Sequence, residues 1–166
     1  CRKHGIWLFS DEVYRGLEID PARQLPAATE VYERGLSLGV MSKSYGLPGL
    51  RIGWVLSKDH ALLSQMERIK HYLSICNAGP SEHLAIIALK ARDEVVGRNV
   101  ALVRDNLKAV ESFFAEYPGL FEWYRPDGGC VAYPRYLGQD GVEAFARRLV
   151  EESGIVVLPG LIFPSG

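Results

Sequence analysis

The sequence predicts an α/β architecture followed by a smaller α+β segment, and three patterns carry that prediction. Three short, largely apolar runs (Ile6 to Phe9, Leu36 to Met41 and Ile52 to Leu56) recur before Ser57, the first of them continuously apolar, as in a parallel strand buried on both faces. From Asp59 to Tyr117 the apolar residues change to spacings of three and four, the period of amphipathic helices. After Pro118 the texture changes again, to two apolar runs flanking Pro126-Asp127-Gly128-Gly129, a helical stretch and a last apolar run. Strand, strand, helix, strand in that order suggests a small α+β domain. The expected division is 1–117 for the larger domain, including the long helix, and 118–166 for an incomplete smaller one.

Taken in order, Cys1-Arg2-Lys3-His4-Gly5 reads as a helix end, with Gly5 in the left-handed closing position and basic residues in the last turn. The strand Ile6 to Phe9 delivers Asp11-Glu12-Val13-Tyr14 at its carboxyl end, where ligands collect in open α/β sheets. From Arg15 to Arg34 prolines and acidic residues break any period, which predicts loop with a helical turn. Leu36 to Met41 and Ile52 to Leu56 are the second and third strands, separated by a glycine-rich turn. Asp59 is placed to cap a helix whose apolar face is Leu62, Met66, Ile69 and Leu73. Asn77-Ala78-Gly79-Pro80 breaks it, and Ser81 is expected to cap the next helix, through Leu84, Ile87, Ala88 and Ala91. A long helix then carries Val96, Val100, Val103, Leu107, Val110, Phe114 and Tyr117 in one stripe, ended by Pro118-Gly119. A core helix and a bridge between domains fit that stripe equally. Phe121 to Tyr124 and Cys130 to Tyr133 are expected to pair as a hairpin about the glycine turn, followed by a helix from Val142 to Ser153 and a strand from Ile155 to Leu158.

Composition narrows the function classes. The 166 residues suffice for one good core, or one and a part. A formal net charge of −1 points to no nucleic acid, anionic membrane or polyanionic partner. No apolar run approaches the ~20 residues needed to span a bilayer. The three cysteines Cys1, Cys76 and Cys130 are odd in number and widely spaced, which gives neither a disulfide framework nor a metal signature. Cys130, in an apolar run, is expected to be a buried thiol, and a reducing, cytoplasmic setting follows. The chain opens at Cys1 without a targeting segment and stops after an apolar run at Pro164-Ser165-Gly166, so both ends are expected to be cuts through a larger protein.

The residues able to carry chemistry gather between Ser42 and Trp54. An isolated lysine in a turn reads as a surface residue. Here an apolar strand delivers Lys43, and small residues beside it permit close backbone approach to a ligand. A lysine in a partly dry site gives up its proton more easily and is able to form a Schiff base. Arg51 stands eight residues on, in an otherwise apolar stretch, where its permanent charge calls for an anion, either phosphate or a protein carboxylate. Asp11 has two readings, a turn cap after the first strand or a partner for a protonated ring nitrogen. Tyr14 is placed to donate to an oxygen on such a ring.

Asp11-x-x-Tyr14 after one apolar strand, Ser42-Lys43 after the next, then Gly46-Leu47-Pro48-Gly49-Leu50-Arg51-Ile52-Gly53-Trp54 resemble the fold type I pyridoxal 5′-phosphate (PLP) enzymes, the class I/II aminotransferase family in particular. The resemblance runs over nearly the whole chain. It implies part of an aspartate-aminotransferase-like large domain followed by part of a small α+β domain. It also implies that Lys43 carries PLP in Schiff-base linkage and moves the proton between substrate Cα and cofactor. Asp11 would pair with the pyridine nitrogen, Tyr14 with the phenolate oxygen and Arg51 with the phosphate. The implied activity is amine transfer from an amino acid to a 2-oxo acid. A lyase, decarboxylase or cyclase on the same scaffold, or the PLP-binding effector domain of a transcriptional regulator, are the alternatives. Family members usually carry a serine or threonine three residues before the lysine, bonding the phosphate. Val40 stands there and cannot, so Ser42, Ser44 or a residue outside this chain is expected to take that place. Asn77-Ala78-Gly79 falls where some relatives reach a partner subunit, which implies a homodimer. Pro159-Gly160 with Phe163 resembles the segment leading to the substrate-carboxylate arginine, itself expected beyond Gly166. Three strands are fewer than that family's sheet contains, so open strand edges are expected, and this piece alone is not expected to turn over substrate.

Overall fold

The chain opens with a 3-10 turn, Arg2–His4, closed by Gly5 at φ 61° with its N–H on the Arg2 carbonyl. That is the closure a glycine behind basic residues predicts. The computed structural model describes residues 1–160. It forms two compact units, Cys1–Asp105 with Asp127–Cys130, and Asn106–Pro126 with the described residues from Val131 onward.

In the first unit β1 (Leu8–Asp11), β2 (Gly35–Val40) and β3 (Gly53–Ser57) form one sheet in that order. β1 and β2 run parallel, with Asp11 opposite Leu38, and β2 and β3 run antiparallel, with Val40 opposite Gly53. A parallel pair needs a long connection. It is made by the loop expected between Arg15 and Arg34, which holds a 3-10 turn at Pro21–Arg23 and a short helix α1 (Ala28–Val31). The first apolar run is not buried on both faces as expected. Trp7, Leu8 and Phe9 are exposed, and β1 is an edge strand of the described sheet. Close approaches pin the sheet. A Cβ on Gly35 would overlap the backbone of Ala28, and one on Gly39 would overlap the indole of Trp54.

Asp59 caps α2 (His60–Leu73) as expected, its Oδ1 accepting from the Leu62 N–H at 3.0 Å. The third helix, α3 (Gly79–Lys90), has its N-cap at Ala78 rather than Ser81. Pro80 in its first turn costs nothing there, because that N–H has no intrahelical partner to lose. α4 (Arg92–Glu116) carries the long stripe, and its residues from Asn106 on belong to the second unit. Around fully buried Met41, the core of the first unit gathers Leu17, Tyr45, Ala85, Ala88 and Val96.

The second unit is built on aromatic packing. β4 (Phe121–Glu122) and β5 (Arg135–Tyr136) pair antiparallel, and α5 (Gly141–Ser153) follows. Phe114 stacks on Trp123 at 4.8 Å, Tyr136 stacks on Phe145 at 4.3 Å, and Phe121 meets Phe145 edge-on at 5.8 Å. Each such pair contributes about 0.5–1.5 kcal/mol beyond its buried area. The hairpin expected about Gly128-Gly129 does not form, since the partner of β4 is β5. The glycine turn belongs to the first unit instead. There Glu18 bridges Gly128, and the Gly129 N–H reaches the Leu17 carbonyl at 3.0 Å. Cys130 is therefore exposed rather than buried. Over 155–158 no strand forms among the described residues, and Ile155 to Leu158 are exposed. Phe163 lies outside the described residues.

Two consequences are measurable on the whole protein. Met41→Ala is expected to destabilise the first unit by about 2–5 kcal/mol, because a fully buried side chain leaves a cavity; denaturant titration reads this. In the second unit the Tyr136 hydroxyl donates to Asp140 Oδ1 at 2.8 Å, and Arg148 holds Oδ2. The tyrosine hydrogen bond, ahead of Arg148, keeps the Asp140 carboxyl below its ordinary 3.8 and raises the Tyr136 hydroxyl above its ordinary 10.0. The carboxylate's contribution is present above pH 3.8 and is lost as pH falls through its lowered value. The tyrosine's is present below pH 10.0 and is lost as pH rises through its raised value. Tyr136→Phe is expected to weaken the loss of thermal stability at both the acid and the alkaline end of a pH series, by a small amount at this exposed pair.

Candidate functional site

Strand direction brings three separated segments to one edge of the sheet. The carboxyl ends of parallel β1 and β2 coincide there, and antiparallel β3 starts there. Asp11 closes β1, Ser42 and Lys43 follow Val40 by two and three residues, and Arg51 precedes Gly53 by two. Tyr14 follows in the turn after β1. The Lys43 Nζ stands 5.8 Å from the centre of its ring, within the ~6 Å reach of a cation–π contact.

Each position is held by neighbours with little freedom of their own. Asp11 Oδ1 accepts from the Val13 N–H at 3.2 Å. That is the turn cap, and it leaves the second carboxylate oxygen to a ligand. Glu12 turns inward, its Oε1 accepting from the Ala28 N–H and the Ser37 hydroxyl, both at 2.8 Å. In Asp11-Glu12-Val13-Tyr14 the second acid is thus an anchor and the first faces outward. Gly129, at φ 81°, lies where a Cβ would meet the Tyr14 ring at 3.5 Å. Gly46 closes the Lys43 turn at φ 66°, its N–H on the Lys43 carbonyl at 2.9 Å.

Ser44 is buried, and its N–H reaches the Val13 carbonyl at 3.3 Å. Its hydroxyl donates toward the carbonyls of Val13 at 2.9 Å and Arg15 at 2.7 Å. A hydroxyl has one proton to donate, so Ser44 does not take the phosphate-binding place that Val40 leaves open. Ser42, half-buried in the same turn, keeps that expectation. Arg51 sits in the left-handed region at φ 55° and donates from Nη1 to the Pro48 carbonyl at 2.8 Å. Among the described residues Arg51 has no ion pair, so its carboxylate reading finds no partner here.

A cavity of about 620 Å³ runs along the Asp11–Tyr14 segment, walled by Asp11, Tyr14, Arg15, Glu18, Arg23 and Asp127 among others. Ser42, Lys43 and Arg51 are not among its walls. Three contributors escape a reading by motif: Glu12, the Gly128-Gly129 turn, and Asn99 of α4, whose Nδ2 donates to the Ser44 carbonyl at 2.9 Å. Asn99 did leave a signal. It is a poor helix former set between Val96 and Val100 in an apolar stripe, where an amide needs a specific partner.

The chain matches the family model for aminotransferase class I and II over residues 1–165. Capreomycidine synthase of Streptomyces vinaceus is 35% identical over 132 residues, 79% of this chain and 33% of that protein. Arginine–pyruvate transaminase of Pseudomonas aeruginosa is 31% identical over 166 residues, 98% of this chain and 42% of that protein. A PLP-dependent aminotransferase from Streptococcus suis superposes with a TM-score of 0.90 at 30% identity, over 98% of this chain and 42% of that one. The chain therefore spans less than half the length of each of these relatives. Its α/β fold is the aspartate-aminotransferase-like one, and, matched over nearly every residue, it belongs to the aminotransferase class I and II family.

Proposed function

We propose that this chain forms the lysine-bearing part of a PLP-dependent aminotransferase, which moves an amine from an amino acid to a 2-oxo acid. The observation that carries the reading is the sheet edge shared by Asp11, Ser42, Lys43 and Arg51, with the Lys43 Nζ 5.8 Å from the Tyr14 ring. The donor set suits the group. PLP asks for a primary amine, an anion for its ring nitrogen, a donor for its ring oxygen and a cation for its phosphate, and this edge carries one of each. When bound, PLP supplies an electron sink for the bonds at substrate Cα.

Lys43 Nζ holds the cofactor and is the base that takes and returns the Cα proton. Asp11 keeps a proton on the ring nitrogen by its negative charge, Tyr14 donates to the ring oxygen, and Arg51 with Ser42 binds the phosphate. In this reading 1–117 is the C-terminal part of the PLP-binding large domain with its long helix, and 118–166 is part of the small domain. The finer assignments are a cytoplasmic enzyme and a homodimer, with Asn77-Ala78-Gly79 toward the partner. Among the described residues no helix is long and apolar enough to cross a membrane. Cyclisation on the same scaffold is the second reading, favoured by the 35% identity to capreomycidine synthase.

Borohydride reduction of the whole protein is expected to fix the cofactor on the peptide containing Lys43, and Lys43→Ala to remove both that mass addition and the visible absorbance. Cofactor found on another lysine would sink the assignment. Arg51→Gln is expected to weaken PLP binding roughly 10- to 150-fold, as loss of a hydrogen bond to a charged group implies. Amine transfer to a 2-oxo acid, followed by product analysis, separates transamination from cyclisation.

A further inference from the structure

We infer that Ser44 is a positioning residue that holds Tyr14 in register with Lys43, an inference that rests on the cofactor reading above. Ser44 follows Lys43 directly in the chain and is 4% exposed. Its hydroxyl lies 2.9 Å from the Val13 carbonyl and 2.7 Å from the Arg15 carbonyl, and its N–H lies 3.3 Å from Val13. Val13 and Arg15 flank Tyr14 on either side. One buried serine therefore holds the carbonyls of both residues that flank Tyr14, Val13 through its N–H and Arg15 through its hydroxyl, and these steady the backbone from which the ring projects. The same residue is tied in the other direction. Its carbonyl accepts from Asn99 Nδ2 at 2.9 Å, and the Lys43 carbonyl accepts from Gly46 at 2.9 Å, which closes the turn that carries the lysine. The distance of 5.8 Å between Lys43 Nζ and the Tyr14 ring is thus set through Ser44 rather than by contact of the two side chains alone.

This assigns Ser44 a chemical consequence. A tyrosine donating to the cofactor's ring oxygen draws charge from it and lowers the proton affinity of the neighbouring lysine-bound nitrogen. If the Ser44 hydroxyl is lost, the backbone N–H still holds the Val13 carbonyl but the Arg15 carbonyl is released, Tyr14 loses its aim and that proton affinity rises. A serine that merely satisfied buried carbonyls would change stability and leave the proton affinity alone.

The test is a spectrophotometric pH titration of the lysine-bound cofactor in the whole protein. Tyr14→Phe is expected to move the midpoint upward, on the order of one pH unit. Ser44→Ala is expected to move it in the same direction, Ser44→Thr to restore it, and the double variant to titrate like Tyr14→Phe alone. Ser44→Cys, a near-isosteric weak donor, carries the test where alanine does not fold, with a midpoint between wild type and Tyr14→Phe. A Ser44→Ala or Ser44→Cys midpoint at the wild-type value, even with a lowered melting temperature, overturns the inference. So does a Ser44→Ala shift that adds in full to that of Tyr14→Phe. A band that shifts with Tyr14→Phe but not with Ser44→Ala leaves the cofactor reading standing without the inference. Absence of any lysine-bound band in the wild type overturns both.

Discussion

The register of the three-stranded ladder, Asp11 against Leu38 and Val40 against Gly53, is the constraint from which the rest of the first unit follows. Side chains alternate across a strand, so a slip of one residue would send every side chain to the opposite face. It would also move Asp11 along the edge by about 3.3 Å, out of step with the turn after β2. The register is locked by shape rather than by charge. Gly35 passes against the backbone of Ala28, Gly39 lies beneath the Trp54 indole, and the Ser57 hydroxyl donates to the Gly35 carbonyl at 3.0 Å. A side chain at Gly35 would push α1 off the sheet, and one at Gly39 would displace the Trp54 indole. Glycine's conformational freedom matters little here; what counts is the missing Cβ.

On that frame the polar residues divide into two sets with opposite jobs. Glu12, Ser37, Ser44 and Asn99 spend their hydrogen bonds inside the protein. Asp11, Lys43 and Arg51 remain exposed at the edge. A typical internal hydrogen bond contributes only about 0.5–1.5 kcal/mol net, but leaving a buried partner unsatisfied costs about 1–3 kcal/mol. The inward set therefore specifies geometry more strongly than it adds stability. Removing one member leaves another stranded, and the exposed groups inherit the error. Order at the edge comes from residues whose hydrogen bonds run inward.

That division explains which features the sequence disclosed. A short apolar run, a stripe at three and four, an aspartate before a helix and a glycine after basic residues are local patterns, and β2, β3, α2, α4 and the Gly5 closure follow from them. So does the placing of Lys43 and Arg51, which needs only strand order and direction. The features that escaped all depend on a distant partner. Phe121 and Glu122 found Arg135 and Tyr136 instead of the nearer run at Cys130, because Gly128 and Gly129 were engaged by Leu17 and Glu18. Ile155 to Leu158 and Trp7 to Phe9 are apolar yet exposed. Hydropathy registers a demand for burial, whereas burial itself depends on which surfaces are present to supply it. The bonds of Ser44 belong to the same class, since a serine has too many possible partners for spacing to choose among them.

Arg51 supports the site by an argument independent of its neighbours. Its φ of 55° is a conformation glycine takes without penalty and a side chain takes at a cost of about 1–3 kcal/mol. The surrounding turn already uses Gly46, Gly49 and Gly53, so glycine at this point is well within the local chemistry. Within the first unit the guanidinium gives back one hydrogen bond, to the Pro48 carbonyl at 2.8 Å, at an exposed position where water competes for it. A charged donor returns about 1.5–3 kcal/mol at most, less where water competes, so the bond does no more than offset the strain. The fold by itself therefore gives no preference for arginine at position 51. A permanently charged, multi-donor side chain held there under strain, at the edge that also presents Lys43, is what the proposed phosphate contact calls for.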